Sequence, residues 1–256
     1  MSRLRDGAPA AVLVAVGLLA WEAVVRGGLV DELILPSPTQ IATALWQDRT
    51  LLGPDLLVTT WEVVAGLAVA VAVGAGLGVA MHLSRAVRRA LKPIVVGSQA
   101  VPVPVVAPLL ILVLGFGIAP KVLMVALVCF FPVTINLYDG LRSVEPDQRK
   151  VLRSFAATRW QTFKLLEAPS AAPQAFTGVR VAAAVAVIGA VFAEWAGSDA
   201  GLGHALLTAN GQLLSARAFA CVVLLFALAV ALYELLAVLE RRLVHWTPTP
   251  DQPGGS

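Results

Sequence analysis

The chain has 256 residues, of which 58% are hydrophobic and 14% charged, against about 45–50% and about 25% in soluble domains. That composition excludes a soluble globular fold, and several runs reach the ~20 residues needed to cross ~30 Å of hydrocarbon, so an all-α polytopic membrane protein is expected. The net charge of +3 does not point to nucleic acid, because the basic residues flank apolar runs and no base-reading module is present.

The first expected span covers about 8–25, after a short basic start. A secretory signal is disfavoured there, since the run is long and no small-x-small cleavage site closes it. Next comes DELILPSPTQIATALWQD, with Pro36 and Pro38 ahead of a short amphipathic helix carrying Ile41, Ala42, Leu45 and Trp46. It is expected at the outer interface, a depth that suits Trp46. The second span, about 58–80, repeats small residues at Gly66, Ala70, Gly74 and Gly78. This spacing lines one helix face and lets a neighbouring backbone approach, so these four are read as helix-packing residues.

The third span, about 94–114, contains Pro102, Pro104 and Pro108. Each removes a backbone donor, so an unbroken helix is not expected. Such breaks often line a solute path in transporters, which makes Pro102, Pro104, Ser98 and Gln99 candidate pathway residues. The alternative is a kink that only shapes packing. Asn136, closing the fourth span at about 122–137, and Glu194, near the end of the fifth at about 176–195, complete the candidate pathway set. For Glu194 a helix-pairing or interfacial role competes with a proton relay.

Between those spans lies the longest polar interval, 139–173, with Arg142, Arg149, Lys150, Arg153, Arg159 and Lys164. A simple connection could be far shorter, so this interval reads as a docking surface. The connector GSDAGLGHALLTANGQLLSARA is amphipathic and reads as interfacial or re-entrant. The sixth span runs at about 219–239, and residues 247–256 read as a disordered tail.

With six spans both termini share a side. Placing them inside puts all Lys and Arg except Arg26, Arg49, Lys121 and Arg217 on the inner side, so the positive-inside rule assigns cytoplasmic termini and a cytoplasmic 139–173 segment. Cys129 and Cys221 both lie in apolar runs and read as small core residues, with no disulfide or metal site implied. His82, His204 and His245 are scattered, no nucleophile stands beside a base, and no lysine carries the glycine before it that a P-loop requires. No catalytic residue, metal or cofactor is therefore assigned to this protein.

The text RSFAATRWQTFKLLEAPSAAPQAFTGVRVAAAVAVIGAVFAEW, with LPSPTQI, VPVPVVAPLLILVLGFG and FFPVTINLYDGLRSV, resembles the permease subunits of binding-protein-dependent ABC importers. The branch is the one carrying nitrate, sulfonates, taurine, riboflavin and thiamine precursors. The resemblance covers nearly the whole sequence and implies a type I importer permease fold in the bacterial inner membrane. It implies a second permease copy, most simply as a homodimer, an extracytoplasmic binding protein, and a separate ATPase that binds ATP and Mg.

Permeases of this kind carry a cytoplasmic EAA loop of pattern E-A-A, three residues, Gly, nine residues, I-x-L-P. In the present sequence the E-A-A positions fall at Lys150, Val151 and Leu152, the glycine at Ala156, and I-x-L-P ends at Pro169. The resemblance makes Arg153, Ser154, Ala156, Ala157, Thr158, Arg159, Trp160, Phe163 and Pro169 the ATPase-coupling candidates, with a short helix over 156–163. Ala for Gly at 156 is mild in a helix and costly at positive φ. Apolar text in the third and fourth spans looks most like riboflavin or thiamine-pyrimidine-precursor permeases. Nitrate, sulfonate or taurine is the alternative cargo. A secondary transporter would need an intramembrane coupling acid, which is not evident.

Overall fold

A computed structural model describes residues 2–246, with side chains at 9 and 12–246. The expected tail at 247–256 lies outside the described residues. Among those residues every regular element is helical. In order along the sequence they are α1 (Ser2–Arg26), α2 (Pro38–Gln47), α3 (Arg49–Leu83), α4 (Arg85–Gly97), α5 (Val103–Leu114), α6 (Ile118–Arg142), α7 (Pro146–Ser154), α8 (Arg159–Thr162), α9 (Ala168–Gly197), α10 (Leu202–Gly211) and α11 (Ser215–Leu243). A 3-10 turn, Ser98–Ala100, follows α4, and a π segment, Phe163–Glu167, joins α8 to α9.

Among the described residues, four helical stretches are long and apolar enough to cross a membrane: Arg49–Leu83, Ile118–Arg142, Arg159–Gly197 and Ser215–Leu243. A bent pair, Arg85–Ala100 with Val103–Leu114, has the length and composition of a broken span or a re-entrant loop. The first expected span falls within the 25-residue α1. The third is not one helix. Its halves are bent by 104°, where Val101 leaves the helical region (φ −80°, ψ 120°) and Pro102 caps α5. Prolines at 102 and 104 cannot supply the amides a continuous helix needs there. At 12 residues, α5 is roughly 18 Å long and too short to span alone.

The protein divides into two compact units, one holding residues up to Thr59 with Asp199–Phe226, the other Thr60–Ser198 with residues from Ala227 on. In the first unit, α2 begins with a capping box in which Ser37 and Gln40 satisfy each other's backbone amides. Thr39 donates to Glu22 at 2.7 Å, tying α2 to α1. The backbone donors left without intrahelical partners at the start of α10 are met from α3: Gly201 N donates to Asp55 Oδ1 and Leu202 N to Thr59 Oγ1, both at 2.8 Å. Arg217 holds Asp48 through two bonds at 2.7 and 2.9 Å.

The second unit is built on close helix contact. α6 and α9 meet through small residues, with Ala182, Ala183, Ala186 and Ala190 of α9 fully buried. α3 lays its small-residue face on α6. A Cβ added at Gly66 would stand 2.4 Å from Val125 Cβ, and one at Gly74 2.9 Å from the Phe130 carbonyl. Ala70 on the same face is fully buried. Packing at that distance substitutes for the hydrophobic drive that lipid cannot supply. Cys129 and Cys221 are both buried thiols.

Candidate functional site

The polar interval 139–173 is helical over most of its length. α6 carries on to Arg142, and α7 follows after three residues. α7 ends in a Schellman motif: Ala156 N donates to the Arg153 carbonyl at 2.9 Å and Ala157 N to the Leu152 carbonyl at 3.1 Å. Such a motif needs its turning residue in the left-handed region, and Ala156 stands at φ 55°. The expectation of a helix over 156–163 is corrected here. Ala156 and Ala157 form the turn, Thr158 caps the next helix through a capping box with Gln161, and α8 starts at Arg159.

From Arg159 to Gly197 the backbone is one helical stretch of 39 residues. Its π segment has a local cause. Pro169 cannot donate to the Leu165 carbonyl, and Ala168 N instead reaches back to Phe163 O. Pro173 likewise leaves the Pro169 carbonyl without its helical donor, and Trp246 Nε1 takes that place at 3.1 Å.

Glu167, at the end of the π segment, is the centre of an ion-pair group. Arg149 Nε of α7 donates to Glu167 Oε1 at 2.8 Å, and His82 Nε2 at the end of α3 lies 2.7 Å from Glu167 Oε2. Arg149 also donates to the Leu141 carbonyl at 3.1 Å, and Arg159 to the Leu83 carbonyl at 2.7 Å. The ends of α3 and α6 are thus fastened to α7, α8 and α9. Phe163 stacks on Trp160 at 5.4 Å between ring centres. Trp160 and Phe155 remain exposed, at 65% and 78%.

The structure gathers Arg153, Ser154, Ala156, Ala157, Thr158, Arg159, Trp160 and Phe163 around this turn. Ser154 spends its hydroxyl on the Val151 carbonyl. Pro169 stands apart, half-buried inside the helix. Ser98 and Gln99 line a cavity of about 270 Å³ at the broken helix, together with Val101, Val103, Val106 and Met124. Pro102 and Pro104 frame that break. Asn136 and Glu194 do not join them. The Asn136 amide turns back to the Pro132 carbonyl at 2.7 Å, and its Cβ fills the space that Gly178 of α9 leaves.

Glu194 belongs to a second charged group that sequence reasoning missed. Lys121 Nζ, at the start of α6, lies 2.7 Å from Glu62 Oε1 of α3 and 2.6 Å from Ser198 Oγ, just past α9. Glu194 stands beside Glu62. Glu62, Lys121 and Glu194 are 2%, 7% and 1% exposed. The available signal was two opposite charges in or beside apolar spans. Among the described residues, no three His, Cys, Asp or Glu side chains are grouped as a metal site requires.

Residues 70–245 match the family described as the binding-protein-dependent transport system inner membrane component. The chain belongs to that family. This permease is 34% identical to the formylaminopyrimidine transport permease protein ThiX of Halalkalibacterium halodurans, over 90% of its own length and 92% of that protein. It is 35% identical to the riboflavin transport system permease protein RibX of Chloroflexus aurantiacus, over 90% and 86%. To the taurine transport system permease protein TauC of Escherichia coli the identity is 31%, over 91% and 87%. A solved subunit of the MetNI methionine ABC transporter superposes with a TM-score of 0.62 at 16% identity, covering 77% of this permease and 96% of that subunit, which shows a shared fold. The permease is thus an ABC importer subunit of the multi-pass inner-membrane type, moving a small solute, in the branch that holds the riboflavin, thiamine-precursor, sulfonate and taurine permeases.

Proposed function

We propose that this permease imports riboflavin or a pyrimidine precursor of thiamine, working with an extracytoplasmic binding protein and a separate ATPase that binds ATP and Mg. The observation that carries the substrate reading is the uncharged lining of the cavity at the broken helix: Ser98 and Gln99 are its polar members, and among the described residues no Lys or Arg lines it. A flat, weakly polar heterocycle suits that lining better than a sulfonate or nitrate, which calls for positive charge along the path. The named relatives RibX and ThiX support the same choice, while TauC keeps a sulfonate as the second reading. Binding assays on the partner binding protein with riboflavin, an aminopyrimidine and taurine decide between them. Tight taurine binding overturns the first reading.

The same proposal has one transmembrane domain over 1–246, cytoplasmic termini, a homodimer, and the segment 139–173 as the ATPase contact. The contact reading rests on Phe155 and Trp160, large aromatics left exposed on a polar helical turn, the residue type that anchors interfaces. Trp160→Ala and Arg159→Glu are expected to lower co-purification with the ATPase and uptake at least roughly tenfold, with the permease still folded. Normal coupling in both variants refutes the contact.

A further inference from the structure

Beside the Glu167 group a cavity of about 490 Å³ opens, bordered by Arg85, Arg149, Arg153, Arg159, His82 and Glu167. Its charges do not balance. Among the described residues Glu167 is the sole acid on its wall, and both carboxylate oxygens are already taken, one by Arg149 and one by His82. Arg159 reaches only a backbone carbonyl. Arg85, next to the N-cap of α4, and Arg153, in the last turn of α7, have no ion pair or hydrogen bond from their side chains among the described residues.

Three guanidinium groups without a counter-charge thus border one cavity from three helices. Like charges that line one cavity repel, so the arrangement favours an anion that enters. A guanidinium presents paired donors in a plane, and several of them around one point suit a tetrahedral anion with three or four acceptor oxygens better than a carboxylate with two. The volume is that of a small-molecule pocket rather than a bare surface.

We infer that this cavity is a binding site for a phosphate group, held by Arg85, Arg153 and Arg159, and supplied either by an anionic phospholipid headgroup or by a soluble phosphate compound. The Arg149–Glu167–His82 group lines the same cavity and ties α7, which carries Arg153, to the helical stretch that begins at Arg159. Arg153 and Arg159 also belong to the segment proposed as the ATPase contact, so the site is tested on the permease without its ATPase.

The test uses the purified full-length permease without its ATPase, so that its failure is separate from failure of the coupling reading. Inorganic phosphate and pyrophosphate are titrated calorimetrically into detergent-solubilised protein. Lipid retention is followed by native mass spectrometry from nanodiscs of phosphatidylcholine with and without phosphatidylglycerol. Saturable binding of pyrophosphate or phosphate assigns a soluble ligand; selective retention of phosphatidylglycerol alone assigns a headgroup. In either case Arg85→Gln and Arg153→Gln each weaken binding roughly tenfold, and Arg153→Lys recovers part of it. Arg89→Gln, on α4 but outside the cavity, leaves binding unchanged. Neither ligand bound by the wild type, a double variant that binds like the wild type, or an equal loss in Arg89→Gln overturns the proposal.

Discussion

The second unit carries two charged groups on the same scaffold of α3, α6 and α9, and they are built on opposite principles. Around Lys121 the charges are sealed, with Glu62 and Ser198 at hydrogen-bond distance and almost no solvent. Around Glu167 they are open, with more cations than the single acid can match. A buried ion loses several kcal/mol of hydration, so the sealed group is held together by what removing a partner would expose. The open group keeps its arginines hydrated, so their removal costs the fold little and they are free to serve recognition.

Stability measurements on single variants would break or sharpen this contrast. Lys121→Met should cost the most, about 3–5 kcal/mol, because it strands Glu62 inside the bundle; denaturation in detergent reads it. Pairing it with Glu62→Leu should recover much of the loss, and a double variant as unstable as the single would show that the pair itself, not the orphaned charge, matters. Glu167→Gln should cost less, about 1.5–3 kcal/mol, since it weakens two charge-assisted bonds at a partly wet place. Ala156→Gly should move stability the other way, by about 1 kcal/mol, because it relieves a left-handed alanine; the thermal midpoint should rise. Arg85→Gln should stay within about 0.5 kcal/mol of wild type, and a larger loss would mean that the open group is structural after all.

Much of the architecture was legible because composition and proline placement act locally. The break at Pro102 follows from missing amide donors, and the spacing of Gly66, Ala70, Gly74 and Gly78 names a face whatever it meets. The charged groups were less legible. Lys121 counts as an outside cation under the positive-inside rule, a rule that tallies charges and is blind to partners, and Glu62 is 59 residues away. Glu167 reads as one more polar residue of the interval, because nothing local announces His82, 85 residues distant. At position 156 the sequence leaves helix and turn both open; hydrogen bonds from Ala156 and Ala157 back to Arg153 and Leu152 decide for the turn. The change from polar to apolar composition near Pro173 looks like a boundary between elements, yet the helix runs straight through it.

That uninterrupted stretch from Arg159 to Gly197 measures about 58 Å at helical rise. A rod of such length works as a lever: tilting it by about 5° displaces one tip by about 5 Å relative to the other, nearly one helical pitch. One continuous backbone therefore joins the turn at Arg159 to the Lys121 group at its far end, with five residues in π geometry near its start.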